Sequence, residues 1–238
     1  MDTQVLAVIG VRADSKGITD KNIKPLAGRP LMAWIIDTAL ASESVDKVVV
    51  STDSQRYANI ALKYGAEVPF LRPPELAKDS SLEFEYVKHA VSWYKEHDFD
   101  PEIVVRLQAT SPLQLPEDVD ACVNKLMEDP SAHSSMVVAE ARQNPQKAMK
   151  LIGDGFGGQL LVSYITGNEK GLAPSNRQGL DKAYFRANVV ATRVDTLFNL
   201  DSQVGLRVKH HIIPQVRGLD IDSIADFELA ELLIQKYK

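Results

Sequence analysis

Short apolar runs alternate with amphipathic stretches along the first 140 residues of the chain. The apolar runs are typical of buried β-strands and predict strands at 5–9, 47–51, 67–71, 102–107 and 134–139. Apolar residues at helical spacing predict helices at 30–41, 54–64, 80–94 and 116–127. Strands separated by helices of this length indicate βαβ units and a mostly parallel sheet with helices on both faces.

The alternation of apolar runs and amphipathic stretches changes after residue 140. Glycine and asparagine are concentrated in 143–182, which predicts an inserted arm with short antiparallel strands. Strands are predicted again at 184–192 and 208–213, followed by a last helix at 223–236. Because no linker-like composition interrupts the chain, we predict one domain over 1–238: a three-layer, doubly wound α/β fold that carries the arm.

Composition narrows the function classes. Hydrophobic residues make up 45% of the chain and charged residues 25%, as in an ordinary globular domain. The net charge of −5 argues against broad binding to nucleic acid or to an anionic membrane. A single cysteine, Cys122, excludes an intrachain disulfide and a Cys-rich zinc site. Neither a signal peptide nor an apolar run long enough to cross a membrane is present, so we expect a cytoplasmic protein.

The loop after the first predicted strand is rich in glycine and cations. It contains Arg12, Ser15, Lys16 and Gly17, and Lys21 follows shortly. Oriented backbone N–H groups and compensating positive charge are what a triphosphate requires. The spacing is neither that of a Walker A loop nor that of the G-x-G-x-x-G dinucleotide fingerprint. A solvated basic loop is the alternative interpretation.

A second polar segment follows the strand predicted at 102–107. Gln108 carries an amide that both donates and accepts hydrogen bonds, and can therefore recognise the edge of a base. Thr110 and Ser111 can contact a ligand or simply cap the next turn. Ligands of doubly wound sheets bind beyond the carboxyl ends of the strands, where this segment and the first loop are both expected.

Two carboxylates and one arginine complete the candidates. Asp220 and Asp222 are two residues apart, so they face the same side of an extended segment, and paired carboxylates suit Mg²⁺. Capping of the last helix by Asp222 or Ser223 is the alternative. Arg186 lies inside the apolar stretch 183–190, where a buried guanidinium needs an anionic partner or several carbonyl groups.

Together these segments resemble the acylneuraminate cytidylyltransferase family, the CMP-sialic acid synthetases. The opening loop Arg-Ala-Asp-Ser-Lys-Gly, followed by Lys21 and Asn22, is similar to the family's first motif. Further segments similar to the family's motifs are found, in the same order, at 25–31, 50–53, 64–81, 108–113 and 220–222. The resemblance extends over nearly the whole chain.

The resemblance implies a Rossmann-like nucleotidyltransferase that couples CTP to a nonulosonic acid, an anionic sugar acid, and releases pyrophosphate. The implied catalytic residues are Arg12, Lys16 and Asp222. The implied nucleotide-binding residues are Arg12, Ser15, Lys16, Gly17, Asn22, Arg72 and Ser81. The implied substrate-binding residues are Gln108, Thr110, Ser111, Arg177, Arg186 and Asn188. Asp220 and Asp222 would hold Mg²⁺, and Arg177 would reach the site of a neighbouring subunit, because the family's arm exchanges between the protomers of a homodimer.

The sequence departs from the family pattern at positions that concern the acceptor. Val189 replaces a glycine that lies near the sugar in the family, so we expect a narrower pocket, and Gln114 stands where bacterial members often carry arginine. Two alternatives therefore stay open. One is the same chemistry on another anionic acceptor: a legionaminic- or pseudaminic-type sugar, an 8-carbon ulosonate or a phosphonate. The other is a nucleotide- or glycan-binding module without turnover.

Overall fold

The computed structural model describes residues 3–13, 17–165 and 180–237. Its central feature is a six-stranded sheet in the order β10-β6-β9-β5-β1-β4. The six strands are β1 (Val5–Gly10), β4 (Lys47–Ser51), β5 (Ile103–Gln108), β6 (Ser134–Glu140), β9 (Tyr184–Arg193) and β10 (Val208–Ile213). All run parallel except β9, which is antiparallel to both β5 and β6. The predicted mostly parallel, doubly wound sheet is thus confirmed.

Helices connect and cover these strands. They are α1 (Leu31–Leu40), α2 (Gln55–Lys63), α3 (Glu83–Lys95), α4 (Pro116–Glu128), α5 (Val194–Asn199) and α6 (Ile224–Tyr237). No helix within the described ranges is both long enough and apolar enough to cross a lipid bilayer.

Alternation along the strands divides the core between the two faces of the sheet. Ala7 and Ile9 of β1 belong to the apolar cluster under α1 and α4, whereas Leu6 and Val8 belong to the cluster under α3 and α5. Both faces are therefore buried, which explains why the strands appear in the sequence as continuous apolar runs. A third cluster packs α6 against the carboxyl edge of the sheet, where Ile221 is fully buried.

Two small antiparallel pairs lie outside the central sheet. One joins β2 (Pro25–Leu26) to β3 (Arg29–Pro30). The other, in the predicted arm, joins β7 (Met149–Gly153) to β8 (Gln159–Ser163), so the short antiparallel strands expected there are present.

The structure differs from the predicted elements at three places. Residues 67–71 are not a strand: Glu67 forms a single bridge to Val49, and Pro69, which has no N–H to donate, follows two residues later. Helix α3 begins at Glu83, three residues later than expected. Helix α5 was not predicted, because six residues are too few to give a helical periodicity.

Candidate active site

A cavity of about 460 Å³ opens beyond the carboxyl ends of β1 and β5, which are neighbours in the sheet. Gly10 and Gln108 are the last residues of these strands and are register partners. The cavity is lined by Gly10, Arg12, Gly17, Lys21, Asn22, Arg72, Leu76, Lys78, Asp79, Ser81, Glu83, Tyr86, Gln108, Ala109, Thr110 and Asp222. The structure therefore brings the first loop, the segment after β5 and the carboxylate of Asp222 to one place, as expected for a ligand site of this fold.

One wall of the cavity is cationic. The Arg12 guanidinium lies 2.9 Å from the Asp79 carboxylate, and the amide of Asn22 donates to the Arg12 carbonyl at 3.1 Å. Lys21 donates to the carbonyl of Ile221 at 2.6 Å, which joins this wall to the segment that carries Asp222. Asn22 therefore holds the loop, while Arg12 and Lys21 present charge to the cavity.

The glycine of the first loop allows a close approach. A Cβ atom on Gly17 would lie 2.9 Å from the backbone oxygen of Asp222, closer than packed atoms allow. The predicted residues Ser15 and Lys16 lie outside the described residues.

Another part of the lining is formed by Arg72, which stacks on Tyr86. Arg72 is 5% exposed and donates to the Ser51 hydroxyl at 3.0 Å and to the Ser51 carbonyl at 2.6 Å. Its guanidinium carbon lies 4.3 Å from the centre of the Tyr86 ring. Burial lowers the pKa of Arg72 and raises the pKa of the Tyr86 phenol to about 12. Arg72 therefore presents a fixed, planar surface.

Polar contacts also hold Gln108, Glu83 and Ser81 in the lining of the cavity. Gln108 donates to the carboxylate of Glu83, which also lies 3.5 Å from the buried guanidinium of Arg106. Ser81 also lines the cavity, and its hydroxyl donates to the carbonyl of Glu75 at 2.8 Å.

Glu83 and Tyr86 were missed by the sequence reasoning. They are three residues apart on α3, a spacing that places two side chains on one helix face. The sequence could have indicated these two residues through that spacing.

The other residues predicted to contact substrate are used partly within the fold. The carbonyl of Thr110, which lines the cavity, accepts the N–H of Ile221 at 2.9 Å. Ser111 is 1% exposed and accepts a hydrogen bond from the amide of Asn188 at 3.0 Å. Asn188 adopts the left-handed conformation with φ 63°, which asparagine tolerates better than most residues. Neither Ser111 nor Asn188 is among the residues that line the cavity.

Asp220 and Asp222 are exposed and flank the buried Ile221. The Asp222 carboxylate lies 3.6 Å from the Lys21 ammonium. Helix α6 is capped by other groups: Ser223 and Asp226 exchange hydrogen bonds, which lower the pKa of Asp226. Neither aspartate side chain therefore has to serve as the cap.

The donor set fits Mg²⁺. No cluster of three or more metal-ligating side chains occurs in the described part of the chain. Mg²⁺ does not need one, because it is usually bound through one or two carboxylates, water and the phosphates of a substrate. Asp222 lines the cavity described above, whereas Asp220, two residues away, lines a second cavity.

The second cavity also measures about 460 Å³. Its wall combines the apolar side chains of Phe185, Leu229 and Leu233 with the guanidinium groups of Arg142 and Arg186. Among the described residues, the structure thus places Arg186 and Asp220 in this second cavity, whereas Ser111 and Asn188 line neither.

Two expectations about this region are wrong. Arg186 is exposed, because the first residues of β9 extend beyond β5 and pair with β6 alone. Val189 is fully buried in the core, opposite Leu107 of β5, so it does not narrow either cavity. Arg177 lies outside the described residues.

Comparison with known proteins gives consistent matches. The family described as Cytidylyltransferase matches residues 6–152. The N-acylneuraminate cytidylyltransferase of Escherichia coli O18:K1:H7 is 31% identical over 236 residues, which cover 99% of this chain and 53% of that protein. The pseudaminic acid cytidylyltransferase of Campylobacter jejuni is 29% identical, with 96% of this chain and 95% of that protein covered. The CMP-N,N'-diacetyllegionaminic acid synthase of Legionella pneumophila is 42% identical over 116 residues, covering 49% of this chain and 50% of that protein.

A solved structure shares the fold. The CMP:2-keto-3-deoxy-manno-octonic acid synthetase complexed with CTP superposes with a TM-score of 0.73 at 17% identity, covering 98% of this chain and 99% of that one. The chain spans about half the length of the Escherichia coli relative and nearly the full length of the Campylobacter one.

Proposed function

The chain belongs to the cytidylyltransferase family, and on that premise we propose that it couples CTP to a nonulosonic acid, giving the CMP-sugar and pyrophosphate. One observation carries the proposal: the lining of the cavity beyond β1 and β5 combines the cations Arg12 and Lys21, the Arg72–Tyr86 stack and the Asp222 carboxylate. These are the features that a nucleoside triphosphate needs for its phosphates, its base and an associated cation.

The nucleotide lies across this cavity. Arg12 and Lys21 neutralise the phosphates, together with Lys16 of the first loop. The base rests near Arg72 and Tyr86, with Ser81 and Gln108 as polar contacts. Because Arg12 already faces Asp79 and Lys21 faces Asp222, both cations are held in place before the nucleotide arrives. Such preorganisation lowers the cost of binding.

The reaction is an in-line displacement at phosphorus. The oxygen of the sugar's anomeric hydroxyl forms a bond to the α-phosphorus of CTP, and the bond from that phosphorus to the bridging oxygen breaks. The hydroxyl gives its proton to solvent water, and pyrophosphate leaves with the bonding electrons. Arg12 and Lys16 stabilise the charge that develops on the pyrophosphate. The cavity walls hold the two reactants in line, which is the main catalytic requirement of such transfers.

Asp220 and Asp222 are the residues that hold Mg²⁺ in this proposal. When bound, Mg²⁺ supplies positive charge at the phosphate oxygens and favours ionisation of the attacking hydroxyl. The exposure of both carboxylates, with Asp222 in the first cavity and Asp220 in the second, supports this assignment.

The acceptor occupies the second cavity. Arg142 and Arg186 are the cations available there to a sugar carboxylate, beside the acidic residues Glu140, Asp220 and Asp226, and the apolar wall suits acyl or deoxy groups. In this proposal Thr110 contacts the acceptor from the first cavity, and Ser111 and Asn188, which line neither cavity, act through their mutual hydrogen bond. Arg177 is contributed by a second protomer of a homodimer. A reaction that consumes CTP belongs in the compartment that makes CTP, so the proposal includes a cytoplasmic location.

The test is pyrophosphate release from CTP and Mg²⁺ with a panel of acceptors: N-acetylneuraminic acid, a legionaminic acid, a pseudaminic acid, an 8-carbon ulosonate and a phosphonate. We expect release with one of the nonulosonic acids. Release with the ulosonate or the phosphonate alone would reassign the acceptor. CTP binding without release from any acceptor would favour a binding module, and no CTP binding would refute the proposal.

A further inference from the structure

A buried ion pair lies just upstream of the two exposed aspartates. The Arg217 guanidinium is 2.7 Å from the Asp118 carboxylate at the start of α4. The side chain of Asp118 is 0% exposed and that of Arg217 is 11% exposed. Charges this deeply buried are costly unless their geometry is good, and replacing such a pair by apolar residues is often neutral or stabilising. Global stability is therefore a weak explanation for this pair.

Asp118 is fixed in direction by its other contacts. One carboxylate oxygen accepts both the backbone N–H of Leu115 at 2.8 Å and the Arg217 guanidinium. The other lies 3.3 Å from the imidazole of His211 on β10 and has no hydrogen-bond partner among the described residues. The carboxylate thus provides a rigid point to which Arg217 can attach.

Further contacts fasten the backbone around Arg217. The amide of Gln114 donates to the Arg217 carbonyl at 3.1 Å, and the N–H of Ile221 donates to the Thr110 carbonyl at 2.9 Å. Gly218 lies so close to β6 that an added Cβ would be 2.6 Å from the Cβ of Ala139. The segment from 217 to 221 is therefore held at both ends by the connection between β5 and α4.

We propose that the Asp118–Arg217 pair positions Asp220 and Asp222 for Mg²⁺. Both are positioning residues, since neither lines either cavity. The pair fixes the segment 217–221 on the β5–α4 connection, and that segment sets the direction of the two carboxylates. This inference rests on the proposed function, because it assumes that the two aspartates hold the metal.

The experiment compares three variants with the unmodified protein. Arg217→Lys keeps the charge but loses the forked geometry of the guanidinium. The double variant Asp118→Asn/Arg217→Gln removes both charges and leaves no buried charge unpaired. It replaces the single variant if that variant fails to fold. Arg207→Gln is the matched control, because Arg207 faces Asp129 at 3.8 Å with a side chain 64% exposed.

Two readouts separate positioning from a merely structural role. In the pyrophosphate assay we expect the Mg²⁺ concentration for half-maximal rate to rise about tenfold or more in both test variants, with the KM for CTP at saturating Mg²⁺ changed little. In calorimetric CTP titrations we expect the tightening by Mg²⁺ to shrink in the same variants. The control should match the unmodified protein in both.

The outcomes distinguish this inference from the proposed function. If the unmodified protein shows no Mg²⁺-dependent CTP binding and no pyrophosphate release, the proposed function fails. If the unmodified protein works and both test variants keep its Mg²⁺ dependence, the positioning inference is overturned. Faster hydrogen exchange at 215–222 without a changed Mg²⁺ dependence overturns it as well, because the pair would then hold the segment without serving the metal.

Discussion

The ring of Tyr86 lies directly over Gly10, the last residue of β1, at the cavity beyond the carboxyl ends of β1 and β5. A Cβ atom added to Gly10 would be 2.6 Å from both the Tyr86 hydroxyl oxygen and the ring carbon that carries it. The absence of a side chain at residue 10 is therefore what allows Tyr86 to reach the cavity and stack on Arg72.

Replacement of Gly10 by alanine should displace the Tyr86 ring. We expect Gly10→Ala to weaken CTP binding about tenfold and to lower the free energy of unfolding by about 1–3 kcal/mol, because the added methyl group overpacks the site. Calorimetry with CTP and denaturant unfolding measure the two effects. Gly153→Ala is the control, since nothing lies within 4 Å of its added Cβ. Unchanged CTP affinity in Gly10→Ala would remove the ring from the nucleotide site.

Arg72 should not tolerate lysine, although the charge is retained. Lysine lacks the fork that binds both Ser51 groups and the plane that stacks on Tyr86. We expect Arg72→Lys to lose about 2–3 kcal/mol of unfolding free energy and most of the CTP affinity. Arg56→Lys, in an exposed pair with Asp20, should change the unfolding free energy by less than about 0.5 kcal/mol. Equal effects in the two variants would contradict a special role for the buried fork.

Asp222 should be needed for the reaction and not for folding. We expect Asp222→Asn to reduce pyrophosphate release about a hundredfold or more, because a carboxylate that holds Mg²⁺ at the phosphates is lost, while the thermal midpoint stays unchanged. Asp100→Asn is the control: the Asp222 side chain is 81% exposed and that of Asp100, paired with Lys95, is 78% exposed. Near-native turnover at ordinary Mg²⁺ concentrations would exclude Asp222 from the metal site.

Where the sequence pattern was simple, the structure follows it closely. The strands predicted at 47–51 and 208–213 have the predicted boundaries. The first loop and Gln108 meet because each directly follows the carboxyl end of a parallel strand, which the order of elements predicts. Asp222 follows β10 at the far edge of the sheet, so its approach to them could not be predicted in this way.

Side-chain direction and strand extension could not be predicted in this way. Arg186 is exposed because β9 extends beyond β5, and the sequence does not indicate how far neighbouring strands overlap. A valine is equally apolar whether it faces a pocket or the core, so the sequence does not indicate that Val189 is buried in the core. Tyr86 reaches the cavity only because α3 is rotated so that one face meets Gly10, a result of packing between elements distant in sequence.

The β7–β8 hairpin should mediate homodimer formation. Leu151 and Leu161 are register partners, and they are 59% and 52% exposed. Phe156 at the turn is 96% exposed, so the hairpin presents a cluster of apolar side chains that a partner can cover. We expect Leu151→Asp to shift the protein from dimer to monomer in sedimentation analysis. Leu232→Asp, at a leucine 76% exposed on α6, should leave the dimer intact. A wild-type monomer, or dissociation by both variants, would contradict the prediction.

His89 should make the protein less stable in mild acid. It packs edge-on against Phe70, with ring centroids 4.6 Å apart, and its Nδ1 atom is buried without a hydrogen-bond partner. Burial, and then the positive charge of Arg72, lower its pKa below the ordinary value of 6.5. The unfolded chain therefore binds a proton more readily, so the unfolding free energy falls as the pH drops from about 6.5 towards the lowered pKa.

In His89→Gln the loss of unfolding free energy between pH 7 and pH 5 should be smaller than in the unmodified protein. Phe70→Leu disturbs the same contact but leaves the titrating group, so it should lower stability at every pH and change this difference less than His89→Gln does. Identical pH dependence in His89→Gln and the unmodified protein would show that the proton binds equally well to the folded and unfolded chains.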